Sequence, residues 1–496
     1  MNAWELGSPI RKRLALERGT LRKSAPLRVA LCYPSPYPVG MSSLGFQTLY
    51  REIHLHPDAG AERAFLPDDV DAYRKSKTPV STYETGTPLA EFPVAAFSIA
   101  YELEITGLFE MLGLSGLPLL RTERDDRHPF VLVGGPLTNS NPAPLAPFAD
   151  LMILGEAEEL IHEFLDAALS MRKERLRAHF ASRPGCFAPG LSTDYPAIAK
   201  ASDSRLPARS QILTPDSVLP SMFLIEPERG CSRGCTYCVM RRTTNGGMRL
   251  VEPETLLSFI PEEARRVGLV GAAVTDHPRI KEVVRALVES GREIGISSLR
   301  ADRLDRELVG LLARGGYRTL TTASDGASQR LRNDVDRKTS EQQLIRAAEF
   351  VREFQLERLK LYQMVGLPGE TTEDIDELIR FSRELAGIAR LSLGIAPFVA
   401  KRYTPLDGAP FEPVRSVEQK LARLRDGVRG KVEIKPTSAR WAWVEYMLSQ
   451  CGEEAGLAAL QAWRAGGSFS AWKRAFSERG VRPFRFRPVP DGRRNK

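Results

Sequence analysis

Three of the six cysteines lie close together, at Cys231, Cys235 and Cys238, spaced C-x3-C-x2-C. A loop of thiolates suits an iron–sulfur cube, whose irons take cysteine ligands. A cube normally takes four, and here the next cysteine is Cys451 and the next histidine His277. One iron is therefore left open to a ligand from outside the loop. Structural zinc is the alternative, but it wants a closed set of four ligands, usually in C-x2-C pairs. This loop has one such pair and a lone Cys231. The flanking Arg229, Gly230, Arg233 and Gly234 do not suit inert core cysteines. Glycines here let the backbone turn tightly around a cluster.

An open iron must bind something. With Tyr237 directly before the last cysteine, the loop resembles the signature of the radical S-adenosylmethionine (SAM) superfamily. The resemblance implies a [4Fe–4S] cluster with SAM on the open iron. It also implies cleavage of SAM to methionine and a 5′-deoxyadenosyl radical, and a reductant of the flavodoxin or ferredoxin type. The cofactor carries such chemistry while the protein positions and shields it.

The elements that must position this loop can be read from periodicity. Apolar runs at Met222–Ile225, 269–274, 293–297, 317–323, Arg358–Val365 and 391–396 predict six strands with helices between them. Ile280, Val283, Val284, Leu287 and Val288 make one face of such a helix. Six strand–helix units fit the partial (β/α)6 barrel that the resemblance implies for residues 221–400, with active residues at strand carboxyl ends. By the same resemblance Asp276, after strand two, meets the SAM amino group, with His277 the weaker choice. Arg300, after strand three, pairs with the SAM carboxylate through its fork of donors, the alternative being an ion pair to Asp302 or Asp305. Asp325, Ser328 and Arg330, after strand four, contact SAM in a segment similar to the family's A-P-E-A-G-S-E-R-L-R. Gly366 and Gly369 belong to a full match to the family's G-L-P-G-E-T and approach the adenine side. Thr371 can cap the helix that follows.

Residues 28–171 alternate strands (29–33, 61–66, 94–99, 130–133, 151–154) with helices, which predicts an α/β parallel sheet wrapped by helices. Ligands of such sheets sit at the strand carboxyl ends. Those ends carry Gly40, Ser98, Gly134 and Gly135. They resemble the D-x-H-x-x-G, S-x-L and G-G signatures of the cobalamin-binding domain, with Ser35 in place of Asp and Tyr37 in place of the cobalt-ligating His. The resemblance implies a Rossmann-like domain that binds cobalamin through those four residues with no histidine beneath the cobalt. A domain with only a packing role is the alternative.

Residues 1–27 are a basic extension, and 172–220, rich in proline, a linker with a short ribbon near 210–218. Residues 401–496 are expected to be a small, mainly helical module. They hold 20 Lys/Arg against 10 Asp/Glu and four of the five tryptophans, on a chain of net charge +8. A basic module suits an acidic substrate or nucleic acid. No run of about 18 apolar residues crosses a membrane, and the N-terminus lacks the apolar core of a secretory signal. The scattered Cys32, Cys186 and Cys451 fit a reducing cytoplasm rather than a disulfide framework. Methylthiotransferases share the core pattern but need three further N-terminal cysteines, and only Cys32 lies in the first 180 residues.

The chain as a whole resembles the fused cobalamin-domain radical SAM proteins. That implies a methyltransferase in which methylcobalamin delivers a methyl group to a substrate carbon radical. A cobalamin-independent radical SAM enzyme is the second reading. A non-catalytic binding protein using the basic module is the third, and the intact cysteine triad argues against it.

Overall fold

The computed structural model describes residues 3–240, 247–297 and 299–484. They form two compact units. The first takes in the described residues up to Phe223 with Cys451–Arg482, the second Leu224–Gln450 with residues 483–484.

The first unit is built on strands β1 (Leu27–Tyr33), β2 (Ala59–Phe65), β3 (Val94–Ser98), β4 (Phe130–Gly134), β5 (Leu151–Ile153) and β6 (Cys186–Phe187). Their order is β2-β1-β3-β4-β5-β6, parallel except for β6. Strands β3 to β5 are apolar runs because helices cover parallel sheets on both faces. The helix Leu44–Leu55 starts at Ser43, whose hydroxyl accepts the Phe46 N–H at 3.4 Å. Phe46, Tyr50 and Ile53 then fall on one stripe and join Val29, Leu31 and Tyr33 in the core. The strand order reverses between β1 and β3, which is where an open sheet of this kind offers a ligand crevice.

Three expectations change here. The extension 1–27 contributes a helix, Ser8–Leu16, and Ile10 and Leu14 pack on the unit's core. The linker 172–220 contributes a helix (Lys173–Phe180) and the antiparallel edge strand β6, so it is part of the unit. No ribbon forms at 210–218; its one sheet-like contact is a bridge from Leu213 to Arg18. The module expected at 401–496 is divided. Helices Glu453–Arg464 and Phe469–Glu478 pack within the first unit, with Gly456 seated directly on the Pro144 carbonyl. Residues 485–496 lie outside the described residues.

The boundary falls within β7 (Met222–Ile225), after which the second unit has the antiparallel pair β8 (Glu228–Gly230) and β9 (Met248–Leu250). Strands β10 (Arg266–Leu269) and β11 (Glu293–Ile296) complete a sheet ordered β11-β10-β7. Strands β12 (Thr319–Asp325), β13 (Arg358–Val365), β14 (Leu391–Pro397) and β15 (Val432–Pro436) form a four-stranded parallel sheet. A parallel bridge from Leu299 to Thr322 links the two.

Strand β10 ends where the apolar run 269–274 was expected to begin it. The buried Glu228 carboxylate accepts the Ala273 N–H at 2.7 Å and draws that backbone away from the sheet. Strand β15 lies in the stretch expected to be helical. Its alternation of Val432 and Ile434 with Glu433 and Lys435 is a period of two, which suits a strand beside β14.

Candidate active site

The cysteine loop leaves β8 at Gly230, whose φ of 103° only glycine adopts without strain. Gly234 passes so close to Asp336 that a Cβ would lie 2.6 Å from its carboxylate. Cys235 is buried, and Cys231 and Cys238 are half-buried. Each thiol lies within electrostatic reach of the other two. The Arg337 guanidinium lies within electrostatic reach of Cys235. Burial pushes the Cys231 thiol up and Cys238 up to about 11. Among the described residues, no three His, Cys, Asp or Glu side chains converge tightly enough to hold a single metal ion.

Both halves of the loop are clamped. Arg233 meets the Asp276 carboxylate with two bonds of 2.8 Å each and reaches Asp302 at 3.3 Å. Arg303 adds a bond to Asp276 at 2.9 Å. Burial works to raise the Asp276 pKa, but these guanidinium bonds outweigh it and hold the carboxylate below its ordinary range. Asp276, expected as a SAM contact, is thus engaged with the cluster loop. On the other side the Tyr237 hydroxyl donates to Asp325 at 2.6 Å, and Arg337 pairs with the same oxygen at 2.9 Å. Burial first, then the Asp325 charge, drive the Tyr237 pKa well up. Asp325 has a φ of 63° beside a bulge in β12, a strained conformation of the kind held at functional sites.

Arg300 is paired with Asp302 at 3.0 and 3.2 Å. This is the ion-pair alternative, yet the pair is not on the surface, because the Arg300 side chain is 6% exposed. Its charge still acts on Cys231. Ser328 caps the helix Gln329–Asp334, and its hydroxyl donates to Asp374 at 2.5 Å. Arg330 binds Asp374, Asp334 and the Gly369 carbonyl. Ser328 and Arg330 therefore fasten the loop after β12 to the turn after β13. In that turn Gly366 and Gly369 have φ of 85° and 76°, and the Gly366 N–H donates to Glu370 at 2.8 Å. His277 is buried, with a ring nitrogen 3.0 Å from the Val251 carbonyl, a packing role.

Sequence reasoning missed four residues that matter here. Arg233, Arg303 and Arg337 are single arginines in a chain rich in them, and only the fold brings them to the loop. Glu228, three residues before Cys231, is fully buried. Its Oε2 has no hydrogen-bond partner, and burial pushes its carboxyl up to about 8.

Residues 45–189 match the family described as radical SAM proteins, N-terminal, and residues 225–382 match the radical SAM superfamily. The chain belongs to the radical SAM superfamily. This radical SAM chain is 24% identical over 429 residues to an uncharacterized protein of Methanocaldococcus jannaschii, covering 82% of this chain and 85% of the other. It is 22% identical to an uncharacterized methyltransferase of Pyrococcus horikoshii, over 52% of this chain and 58% of that one. It is 28% identical to the bacteriochlorophyllide d C-8(2)-methyltransferase of Chlorobaculum tepidum, over 33% and 35%. Its fold is similar to that of the cobalamin-dependent SAM radical enzyme OxsB with aqua-cobalamin bound. That likeness has a TM-score of 0.50 at 13% identity, and covers 72% of this chain and about half, 52%, of that one.

The residues of the radical SAM chain fit a [4Fe–4S] cluster. Three thiols on one tight loop suit a cube, whose ligands sit on different irons. Of the four residues expected to hold cobalamin, Gly40 and Gly135 are packed against the protein itself. A Cβ on Gly40 would lie 2.5 Å from the Phe65 ring, and one on Gly135 would lie 2.6 Å from the Ile99 backbone. Gly134 accepts the Ile99 N–H through its carbonyl, and Ser98 is buried at the end of β3. Beside Gly40 and Gly135 the space is filled by Phe65 and Ile99, while Gly134 meets only an ordinary contact at 3.6 Å.

Proposed function

We propose that this chain is a radical SAM enzyme that holds a [4Fe–4S] cluster through Cys231, Cys235 and Cys238. The cluster with SAM on its open iron supplies reductive cleavage of SAM and a 5′-deoxyadenosyl radical. The observation that carries this reading is the loop: three thiols on one tight turn, on a backbone clamped at Arg233 and Tyr237. Asp276 and Asp325 act as positioning residues for those clamps. Arg300 brings a buried positive charge beside Cys231, suited to the SAM carboxylate. The positive-φ turn at Gly366 and Gly369 lets backbone approach the adenine. A low-potential reductant and a substrate must come from outside. Among the described residues no helix is long and apolar enough to cross a membrane, and a cytoplasmic location suits an oxygen-sensitive cluster.

The test is anaerobic reconstitution of the chain and of a triple Cys→Ala variant at the three positions. Iron and sulfide should be lost in the variant, along with dithionite-driven formation of 5′-deoxyadenosine. Unchanged iron in the variant would sink the assignment.

Cobalamin-dependent methyl transfer is the second reading. It is favoured by the methyltransferase names of two relatives and by the OxsB likeness. It stands against the filled space at Gly40 and Gly135.

A further inference from the structure

We infer that the first unit has no cobalamin site, because its switch-point crevice is closed by the chain's own residues. Two separate closures are built into it.

The first is a clasp between the loops after β1 and β3, the two loops that flank the crevice. Glu104, 3% exposed, accepts the Ser35 hydroxyl at 2.8 Å and the Ala100 N–H at 2.6 Å. Ser35 stands where the cobalamin signature has Asp. Gly107, one turn further on, lies so close to the Pro34 carbonyl that a Cβ would sit 2.0 Å from its oxygen. Loop and helix are in backbone contact, with no slot for a nucleotide tail.

The second closure is a knot at Tyr37, the position that would supply the lower ligand. Its hydroxyl donates to Glu17 at 2.6 Å and lies 3.0 Å from the Thr214 hydroxyl. Its ring stacks on Tyr83 at 5.0 Å, and the Arg13 guanidinium lies over it at 4.7 Å. Glu17 in turn receives two bonds of 2.8 Å from Arg63 on β2, which also binds Glu84 at 2.6 Å. The Arg63 and Glu17 side chains are essentially inaccessible, at 1% and 0%. Opening this knot would leave buried charges unpaired, which is strongly unfavourable. Beneath it, Tyr33, Phe46 and Phe65 pack ring to ring within 5.5 Å. Residues 13–17 and 214–216, from the expected extension and linker, thus fill the space around Tyr37.

The inference goes beyond the assignment of the cluster, and one preparation separates the two. The full chain is purified and reconstituted without oxygen in excess hydroxocobalamin, desalted, and assayed for iron, cobalt and corrin absorbance. The expected result is a full iron complement with no retained cobalt. Thermal unfolding in increasing hydroxocobalamin should show no shift, since a ligand that binds the folded state must raise the transition. Stoichiometric cobalt, or a concentration-dependent rise of the transition, overturns the inference whatever the iron content. Loss of iron with no cobalt overturns the cluster assignment and leaves this one standing.

Discussion

Asp276 holds the cysteine loop through Arg233. It is 2% exposed and takes three guanidinium hydrogen bonds from Arg233 and Arg303, with Arg300 3.7 Å away. Asp276→Asn keeps the shape and removes the charge, leaving three cations facing one another. Breaking a buried pair in this way costs about 3 kcal/mol. Urea unfolding should show that loss, and reconstituted iron should fall with it. Glu228 makes a second, pH-dependent prediction. Its folded pKa is raised to about 8, while the unfolded carboxyl titrates near ~4.3. Below the lower value both states hold the proton. Between the two, only the folded state does, so its stability falls as pH rises, and the loss is complete above about 8. Glu228→Gln, neutral throughout, should flatten the urea midpoint across that window and gain stability at its alkaline end. An unchanged pH slope would contradict a buried, protonated Glu228.

The turn after β13 and its helix form a device of their own. Asp374 accepts the Thr371 N–H at 2.8 Å in a capping box, and also holds Ser328 and Arg330. Asp374→Ala removes the cap, at about 1 kcal/mol, and also unties the loop after β12. SAM affinity, measured by calorimetry on the reconstituted chain, should therefore fall by more than helix stability alone accounts for. The two glycines of the turn should differ. Alanine at Gly369 meets open space and only the positive-φ penalty, about 1 kcal/mol. Alanine at Gly366 meets the same penalty and the Glu412 side chain at 3.1 Å. Gly366→Ala should be the more damaging to SAM binding.

At the scale of the molecule, the late helices Glu453–Arg464 and Phe469–Glu478 complete the first unit rather than forming a module. Trp472 is 1% exposed, and the Trp463 indole N–H donates to Glu110 at 2.7 Å. Trp472→Ala should cost about 3–5 kcal/mol. Native-state proteolysis should show that loss in the first unit, with reconstituted iron on the cysteine loop unchanged. Loss of iron in step with stability would show that the late helices serve the cluster loop instead.

The amino-acid sequence determined the cysteine loop, the Gly366–Thr371 turn, the α/β class and the approximate strands of both units. These are local signals: ligand spacing, positive-φ glycines and short apolar runs leave their mark on neighbouring residues. Asp276 was legible as a residue of importance, but its partner Arg233 lies 43 positions away, so its task was not. The end of β10 was misplaced because Glu228, from another strand, competes for the Ala273 N–H. The division of residues 401–496 between two units was equally hidden, since a helix's apolar stripe does not say which sheet it will cover. Small residues at Gly40 and Gly135 read alike whether they make room for a ligand or for Phe65 and Ile99. Only tertiary structure decides that, because what fills the space beside a glycine comes from elsewhere in the chain.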